Sequence, residues 1–216
     1  RLLSSLSEIC AARPLAKKYL IVPSFQIGRQ LGDALAAGGS SWVNLHCLTL
    51  PSLAEQAAGP ELASRGTRVL SGADVQSLVD QVFRQLKDAG RLDYFGLIEG
   101  TAGTIEALQR AIITLRLAGL KSADLRPASF INEKKGREVG LLLHSYERAL
   151  EAANLEDLPG IYHLALQVLA AGQPDEAEET YLAFQQRPLA ALERRFWETA
   201  ARGRLVLLPQ DPVFGL

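Results

Sequence analysis

Apolar and polar residues follow two patterns along this chain, and the first pattern is found near both ends. It combines helical spacing of apolar residues with short, continuous apolar runs, which are typical of buried parallel strands. The pattern predicts helices at 2–12, 25–37 and 53–58, and strands at 18–22, 42–48, 180–184 and from residue 204. Strands separated by helices of this length predict βαβ units around a parallel sheet.

The central part of the chain has helical spacing of apolar residues and almost no strand pattern. Its predicted helices cover 73–89, 104–120, 135–153 and 158–171, with short helical pieces at 122–125 and 127–132. We therefore predict an α/β domain made of residues 1–71 and 174–216, interrupted by an all-helical subdomain at residues 72–173.

Composition narrows the possible functions only slightly. The net charge is −1, so a nucleic-acid role would need a local basic patch. Cys10 and Cys47 lack the spacing of metal ligands and favour a reducing compartment, which predicts a cytoplasmic protein. The sequence has neither an apolar run as long as a membrane span nor a signal-peptide pattern. It begins with Arg1 and contains no Met, which predicts a fragment of a longer protein.

The most informative segment covers residues 181–197, YLAFQQRPLAALERRFW. An apolar strand leads through residues 185–187 into an amphipathic helix, and Pro188 is expected in its first turn, where a missing N–H costs nothing. Helicases of superfamily 1 have Asp-Glu-Phe-Gln-Asp at this place, and the first two carboxylates hold Mg²⁺ and position the water that attacks ATP. Leu182 and Ala183 stand at those two positions here, so the segment resembles a degenerate Walker B strand.

Two further observations argue against ATP hydrolysis by this chain. Glu176, Glu178 and Glu179 precede the strand, and because a strand advances about 3.3 Å per residue they cannot reach a site at its far end. The sequence also contains no G-x-x-x-x-G-K-[ST] phosphate loop, which would have to precede Arg1. We therefore expect no catalytic residue, no metal site and no cofactor in this fragment.

Three other segments resemble superfamily 1 helicases in the same order. Residues 19–35 resemble the strand and helix of motif Ia, residues 43–54 resemble motif Ib, and residues 204–215 resemble a later strand and its loop. The Leu-Ile-Val-Pro run at 20–23 and the degenerate Walker B strand are most similar to the inactivated helicase half of AddB-like subunits. These subunits belong to bacterial helicase–nucleases that process double-strand breaks. Residues 181–184 lack the glycine that this family has there.

The resemblance implies a RecA-like (P-loop NTPase-like) fold and a non-catalytic domain that guides DNA and braces a helicase–nuclease partner subunit. It also implies DNA-backbone contacts at two loops: Ser24, Gln26 and Arg29 follow the first strand, and Thr49 and Ser52 follow the second. Helix N-termini favour anions at such places. The alternative interpretation is structural, because Ser and Thr are common helix caps and Arg29 suits a solvated helix face.

The helical block offers two weaker candidates for DNA contact. Lys134, Lys135 and Arg137, together with Arg110 and Arg116, could form a positive patch, although such charges usually cover a solvated face. The pair at 94–95, Tyr-Phe, could stack on a base or simply fill a helix junction.

The sequence is also compatible with two other functions. One is an active superfamily 1 ATPase whose phosphate loop lies outside this sequence. The other is a protein-binding scaffold unrelated to DNA.

Overall fold

The structure is a computed structural model that describes residues 1–98, 100–172, 179–184 and 188–215. Its α-helices are α1 (Leu2–Ala12), α2 (Phe25–Ala37), α3 (Leu50–Arg65), α4 (Gly72–Asp88), α5 (Ala102–Leu117), α6 (Glu133–Ala152), α7 (Leu158–Ala171) and α8 (Ala191–Ala201). Its strands are β1 (Lys17–Ile21), β2 (Leu45–Leu48), β3 (Arg68–Val69), β4 (Leu155–Glu156), β5 (Glu179–Phe184) and β6 (Leu205–Leu208). Single 3₁₀ turns lie at Phe95–Leu97, Ser122–Asp124, Pro127–Ser129 and Pro212–Phe214.

The chain divides into two compact units, and several of the boundaries between them fall inside helices. The first unit comprises Arg1–Ala58, Leu164–Leu189 and Glu193–Leu216, and the second comprises Gly59–His163 and Ala190–Leu192. The main boundaries lie within α3 and α7. The sequence pattern instead predicts domain boundaries between residues 71 and 72 and between residues 173 and 174.

The first unit contains a four-stranded, entirely parallel sheet in the order β2-β1-β5-β6. The α/β class and the parallel sheet are thus confirmed. In the central pair, Leu20 stands opposite Leu182, and β6 continues the row with Val206. Two βα crossovers leave the central pair in opposite directions, since β1 leads through α2 to β2 and β5 leads through α8 to β6.

The two faces of this sheet carry different side chains. On one face Leu20 and Leu182 pack with Leu6 of α1 and Leu31 of α2, and all four are fully buried. On the other face the Tyr181 ring lies 5.9 Å from the indole of Trp197 in α8, edge to face. Strand alternation explains the division, because successive residues of β5 point to opposite faces.

The second unit has its own core, formed by apolar stripes on α4, α5 and α6. Phe83, Ile112 and Tyr146 are among the fully or almost fully buried side chains of this core. These stripes recur at helical spacing, so the burial of this unit follows directly from the sequence pattern.

Several details differ from the predicted elements. α3 is longer than expected, because the helix continues through Gly59 and Pro60 to Arg65. The block predicted to lack strands contains the short strand β4, which pairs in parallel with β3 just before that block. Pro188 does not lie in the first turn of a helix, since α8 begins three residues later, at Ala191.

Candidate nucleic-acid interface

The residues predicted to contact DNA lie near the carboxyl ends of two neighbouring strands. Ser24 follows β1 and Thr49 follows β2, and these strands pair in parallel with Ile21 opposite Leu48. The N–H of Val22 donates to the Leu48 carbonyl oxygen at 2.8 Å, which ties the two strand ends together. The fold therefore brings both predicted loops to one edge of the sheet.

This edge includes the topological switch point of the sheet. The crossover from β1 and the crossover from β5 run in opposite directions, so a crevice is expected between the carboxyl ends of β1 and β5. Ligands of open α/β sheets bind at such crevices. The loop after β1 lies on one side of it, and residues 185–187, which would form the other side, lie outside the described residues.

The hydroxyl groups of both loops are engaged in helix capping. The N–H of Ile27 donates to Ser24 Oγ at 3.4 Å, which caps α2. The N–H of Ser52 donates to Thr49 Oγ1 at 3.3 Å, and the two hydroxyl oxygens lie 3.0 Å apart. The structural interpretation of Ser24 and Thr49 is therefore confirmed, and their role toward DNA stays a prediction.

The exposed part of this edge is the first two turns of α2. Gln26 and Arg29 are exposed, and within the described part of the chain Arg29 forms no ion pair. Phe25, at the first position of the helix, is 59% exposed. Phe25 and Arg29 are four residues apart and therefore neighbours on the helix surface. An exposed aromatic ring beside a guanidinium group is suited to base stacking and phosphate binding together.

Phe25 is not among the contact residues that the sequence predicted. The sequence feature that could have indicated a contact role for Phe25 is its position, directly after the capping Ser24 and four residues before Arg29. Gly28 of the same helix is buried, so α2 has one exposed face and one buried face.

The two positions that resemble a degenerate Walker B strand contribute packing instead of charge. Leu182 is completely buried in the core under α1, and Ala183 is half-buried opposite Ile21 and Leu207. Glu179 lies at the start of β5, where it accepts a hydrogen bond from the Tyr181 hydroxyl at 3.1 Å. The predicted acidic neighbours Glu176 and Glu178 lie outside the described residues.

Among residues 1–98, 100–172, 179–184 and 188–215, no three His, Cys, Asp or Glu side chains are grouped so that they could hold a metal ion. The same residues contain no helix that is both long and apolar enough to cross a membrane.

The prediction that Arg116 contributes to an exposed basic patch is wrong. Arg116 is largely buried, and its guanidinium forms a two-point ion pair with the buried carboxylate of Asp157, with N–O distances of 2.8 and 2.9 Å. Burial is the largest single influence and lowers the pKa of Arg116, but the hydrogen bonds and charge of Asp157, together with the nearby Tyr146 and Glu147, raise this pKa above its ordinary value. Lys134, Lys135 and Arg137 are exposed in the first turns of α6.

The Asp157 carboxylate is the centre of a buried polar network that sequence reasoning missed. It also accepts hydrogen bonds from the Tyr146 hydroxyl at 3.1 Å and from the Gly160 N–H at 2.9 Å, and the latter caps α7. Burial and the nearby Asp157 charge raise the pKa of Tyr146 above its ordinary value. All of these groups have partners within the network, so its role is structural.

The aromatic pair at 94–95 fills a helix junction. Phe95 is buried, and its ring meets that of Tyr94 edge to face at 5.1 Å. The base-stacking alternative is thereby removed for Phe95.

No protein-family model matches the sequence, and no curated protein matches it.

Proposed function

We propose that this chain is the non-catalytic, helicase-like domain of an AddB-like subunit of a DNA double-strand-break repair helicase–nuclease. In this proposal it has a RecA-like fold with an inserted helical subdomain, belongs to a longer cytoplasmic polypeptide, and braces a helicase–nuclease partner subunit. The observation that carries the proposal is the combination of an apolar, buried Walker B position, Leu182, with the exposed surface of Phe25, Gln26 and Arg29 at the sheet's switch point.

The order of strands supports the helicase-like interpretation. The segments that resemble motif Ia, motif Ib, Walker B and the later strand form β1, β2, β5 and β6. The motif Ia and Walker B strands are adjacent in the centre, with the motif Ib and later strands outside them. A DNA-binding surface at the carboxyl ends of these strands agrees with the general placement of ligands in parallel sheets.

The chemistry of β5 favours a non-catalytic role over an active ATPase. A carboxylate that holds Mg²⁺ must lie at the open end of the strand, and the described end of β5 offers only Ala183 and Phe184. Sheet packing does not depend on those carboxylates, so the fold can persist without them.

Binding of fluorescein-labelled single-stranded and forked DNA, followed by fluorescence anisotropy, tests the proposal. We expect affinity to fall steeply between 50 and 200 mM salt, because each neutralised phosphate releases condensed counterions (about 0.7 per contact on a single strand). Arg29→Ala should lower the salt slope by about one contact, and Phe25→Ala should cost about 1–3 kcal/mol of stacking. Lys17→Ala is the matched control, since Lys17 is exposed at the opposite end of β1.

Two results would contradict the proposal. Salt-independent or absent DNA binding would favour the scaffold interpretation. DNA-stimulated ATP hydrolysis by the chain would favour the active helicase, whichever way the binding variants behave.

A further inference from the structure

The first turns of α2 pack against the sheet at a distance that only a glycine allows. Gly28 is buried, and it lies one helical turn after Phe25 and directly before Arg29. A Cβ atom at Gly28 would lie 2.7 Å from Cys47 Cβ in β2 and 3.4 Å from Val22 Cγ2 at the end of β1. The helix therefore approaches both strands closely at the carboxyl end of the sheet.

The contact between Gly28 and Cys47 involves an atom that cannot turn aside. The Cβ atom of Cys47 is fixed to the backbone of β2, and no change of side-chain rotamer moves it. The strand is itself held, because β2 pairs with β1 along its whole length from Leu45 to Leu48. Carbon atoms in contact are normally 3.5–4.0 Å apart, so a side chain at Gly28 would displace α2 by about 1 Å.

This displacement would be largest in the first turns of α2. The later turns are anchored in the core by Leu31 and Leu35, which are fully or almost fully buried. A helix that is pushed away at Gly28 and held at these two residues tilts, and its N-terminal end moves most. Phe25 and Arg29 lie in that end, and they are the side chains suited to base stacking and phosphate binding.

We propose that Gly28 is a positioning residue for the candidate nucleic-acid interface. Its missing side chain sets the distance between α2 and the sheet, and this distance places Phe25 and Arg29 against the DNA. The inference rests on the proposed function, because it needs DNA at this surface. It adds a requirement that the proposed function does not contain, since binding then depends on a buried contact as well as on exposed side chains.

Fluorescence anisotropy with labelled single-stranded DNA tests the positioning role, on variants that circular dichroism shows to be fully folded. Gly28→Ala should raise the dissociation constant about three- to tenfold, because part of the stacking on Phe25 is lost. Adding Cys47→Gly to Gly28→Ala should restore the dissociation constant to within about twofold of wild type, because it removes the Cβ atom that the new alanine meets.

Two controls separate positioning from a general loss of structure. Gly32→Ala makes the same substitution one turn later, where a Cβ atom would meet only the Trp42 ring at 3.4 Å, and its dissociation constant should change less than about twofold. In a protein that already carries Phe25→Ala and Arg29→Ala, Gly28→Ala should also change the dissociation constant less than about twofold, because the groups through which it acts are absent. A purely structural defect would weaken binding equally in both backgrounds.

A folded Gly28→Ala protein that binds DNA as tightly as wild type would overturn the positioning role. Equal losses of affinity in the two backgrounds would also overturn it, as would a failure of Cys47→Gly to restore binding. A wild-type chain that binds no DNA would contradict the proposed function, and the positioning role would be wrong with it. The wild-type measurement alone identifies that case, so the two failures are distinguishable.

Discussion

Glu138 shows how one buried charge fixes a loop in the second unit. Its carboxylate accepts hydrogen bonds from three successive backbone N–H groups, those of Asp93, Tyr94 and Phe95, at 2.8, 2.6 and 2.8 Å. Three converging N–H donors form a nest that would bind an anion, and the protein fills it with its own side chain. These hydrogen bonds hold the turn after α4 against α6, although the two segments are far apart in sequence.

Replacing Glu138 with Gln should therefore destabilise the protein strongly. The amide keeps one acceptor oxygen, but its NH₂ group faces N–H donors and leaves at least one of them unsatisfied. We expect a loss of about 2–4 kcal/mol in the free energy of unfolding, measured by urea denaturation followed by far-ultraviolet circular dichroism. Glu106→Gln removes an exposed carboxylate 3.7 Å from Arg110 and should stay within about 0.5 kcal/mol of wild type. Equal effects of the two variants would refute this role for Glu138.

Glu156 should make the stability of the protein depend on pH. Burial, and then the neighbouring Asp157 charge, raise the pKa of its carboxyl group. The folded state thus holds this proton more tightly than the unfolded state, so stability falls as pH rises from the ordinary carboxyl pKa through the raised one. Glu156→Gln should be more stable than wild type above that interval and equal to it below, in urea titrations at several pH values.

The matched control for this pH effect is Glu151→Gln, since Glu151 is exposed near the end of α6. Its stability should follow that of wild type across the same pH range. If the free energy of unfolding of Glu156→Gln differs from that of wild type by the same amount at every pH, protonation of the Glu156 carboxyl group does not cause the difference.

At the scale of elements, the contact between α2 and β2 depends on one glycine. A Cβ atom at Gly28 would lie 2.7 Å from Cys47 Cβ, whereas one at Gly32 would meet only the Trp42 ring, at 3.4 Å. Gly28→Ala should cost about 1–3 kcal/mol, because the helix or the strand must move. Gly32→Ala should be neutral or stabilise by up to about 1 kcal/mol, because alanine favours the helix. Thermal unfolding of the two variants measures the difference, and the reverse order would refute it.

Elements with long, regular patterns could be predicted from the sequence, and those set by tertiary context could not. α2 and α7 were predicted at their observed bounds, because apolar spacing and a following glycine mark their ends. The length of α3 was missed, since Gly59-Pro60 usually ends a helix and only the surrounding fold keeps it there. β3 and β4 have two residues each, too few for any periodicity.

The candidate site was predicted only in outline. Sequence reasoning placed Ser24 and Thr49 after two neighbouring strands, and parallel pairing brings these residues to one edge. It could not decide how far each side chain is exposed, so the accessible ring of Phe25 and the internal ion pair of Arg116 went unrecognised. Partners distant in sequence, such as Asp157 for Arg116, leave no local signal.

At the scale of the whole molecule, each compact unit has a hydrophobic core of its own, and the two tryptophans belong to the first unit. Trp42 and Trp197 both lie within it, and the sequence contains no others. Tryptophan fluorescence therefore reports the first unit, while far-ultraviolet circular dichroism reports the helices of both. This separation makes it possible to assign the effect of a substitution to one unit.

Placing an acidic residue at Leu182, the position that resembles the first Walker B carboxylate, should damage the first unit and give no ATP hydrolysis. Leu182 is completely buried, and its side chain packs with the core under α1. Leu182→Asp would place a carboxylate there without a partner, which should cost about 3–5 kcal/mol. We expect the fluorescence transition in urea to shift to much lower denaturant, and ATP turnover to stay at background.

Leu15→Asp is the control for this substitution, because Leu15 belongs to the same unit and is 83% exposed. Its fluorescence transition should stay within about 0.5 kcal/mol of wild type, since it exchanges a solvated side chain for another. A Leu182→Asp variant that folds as well as this control would mean that position 182 can point a carboxylate to solvent. The packing role of Leu182 would then be wrong.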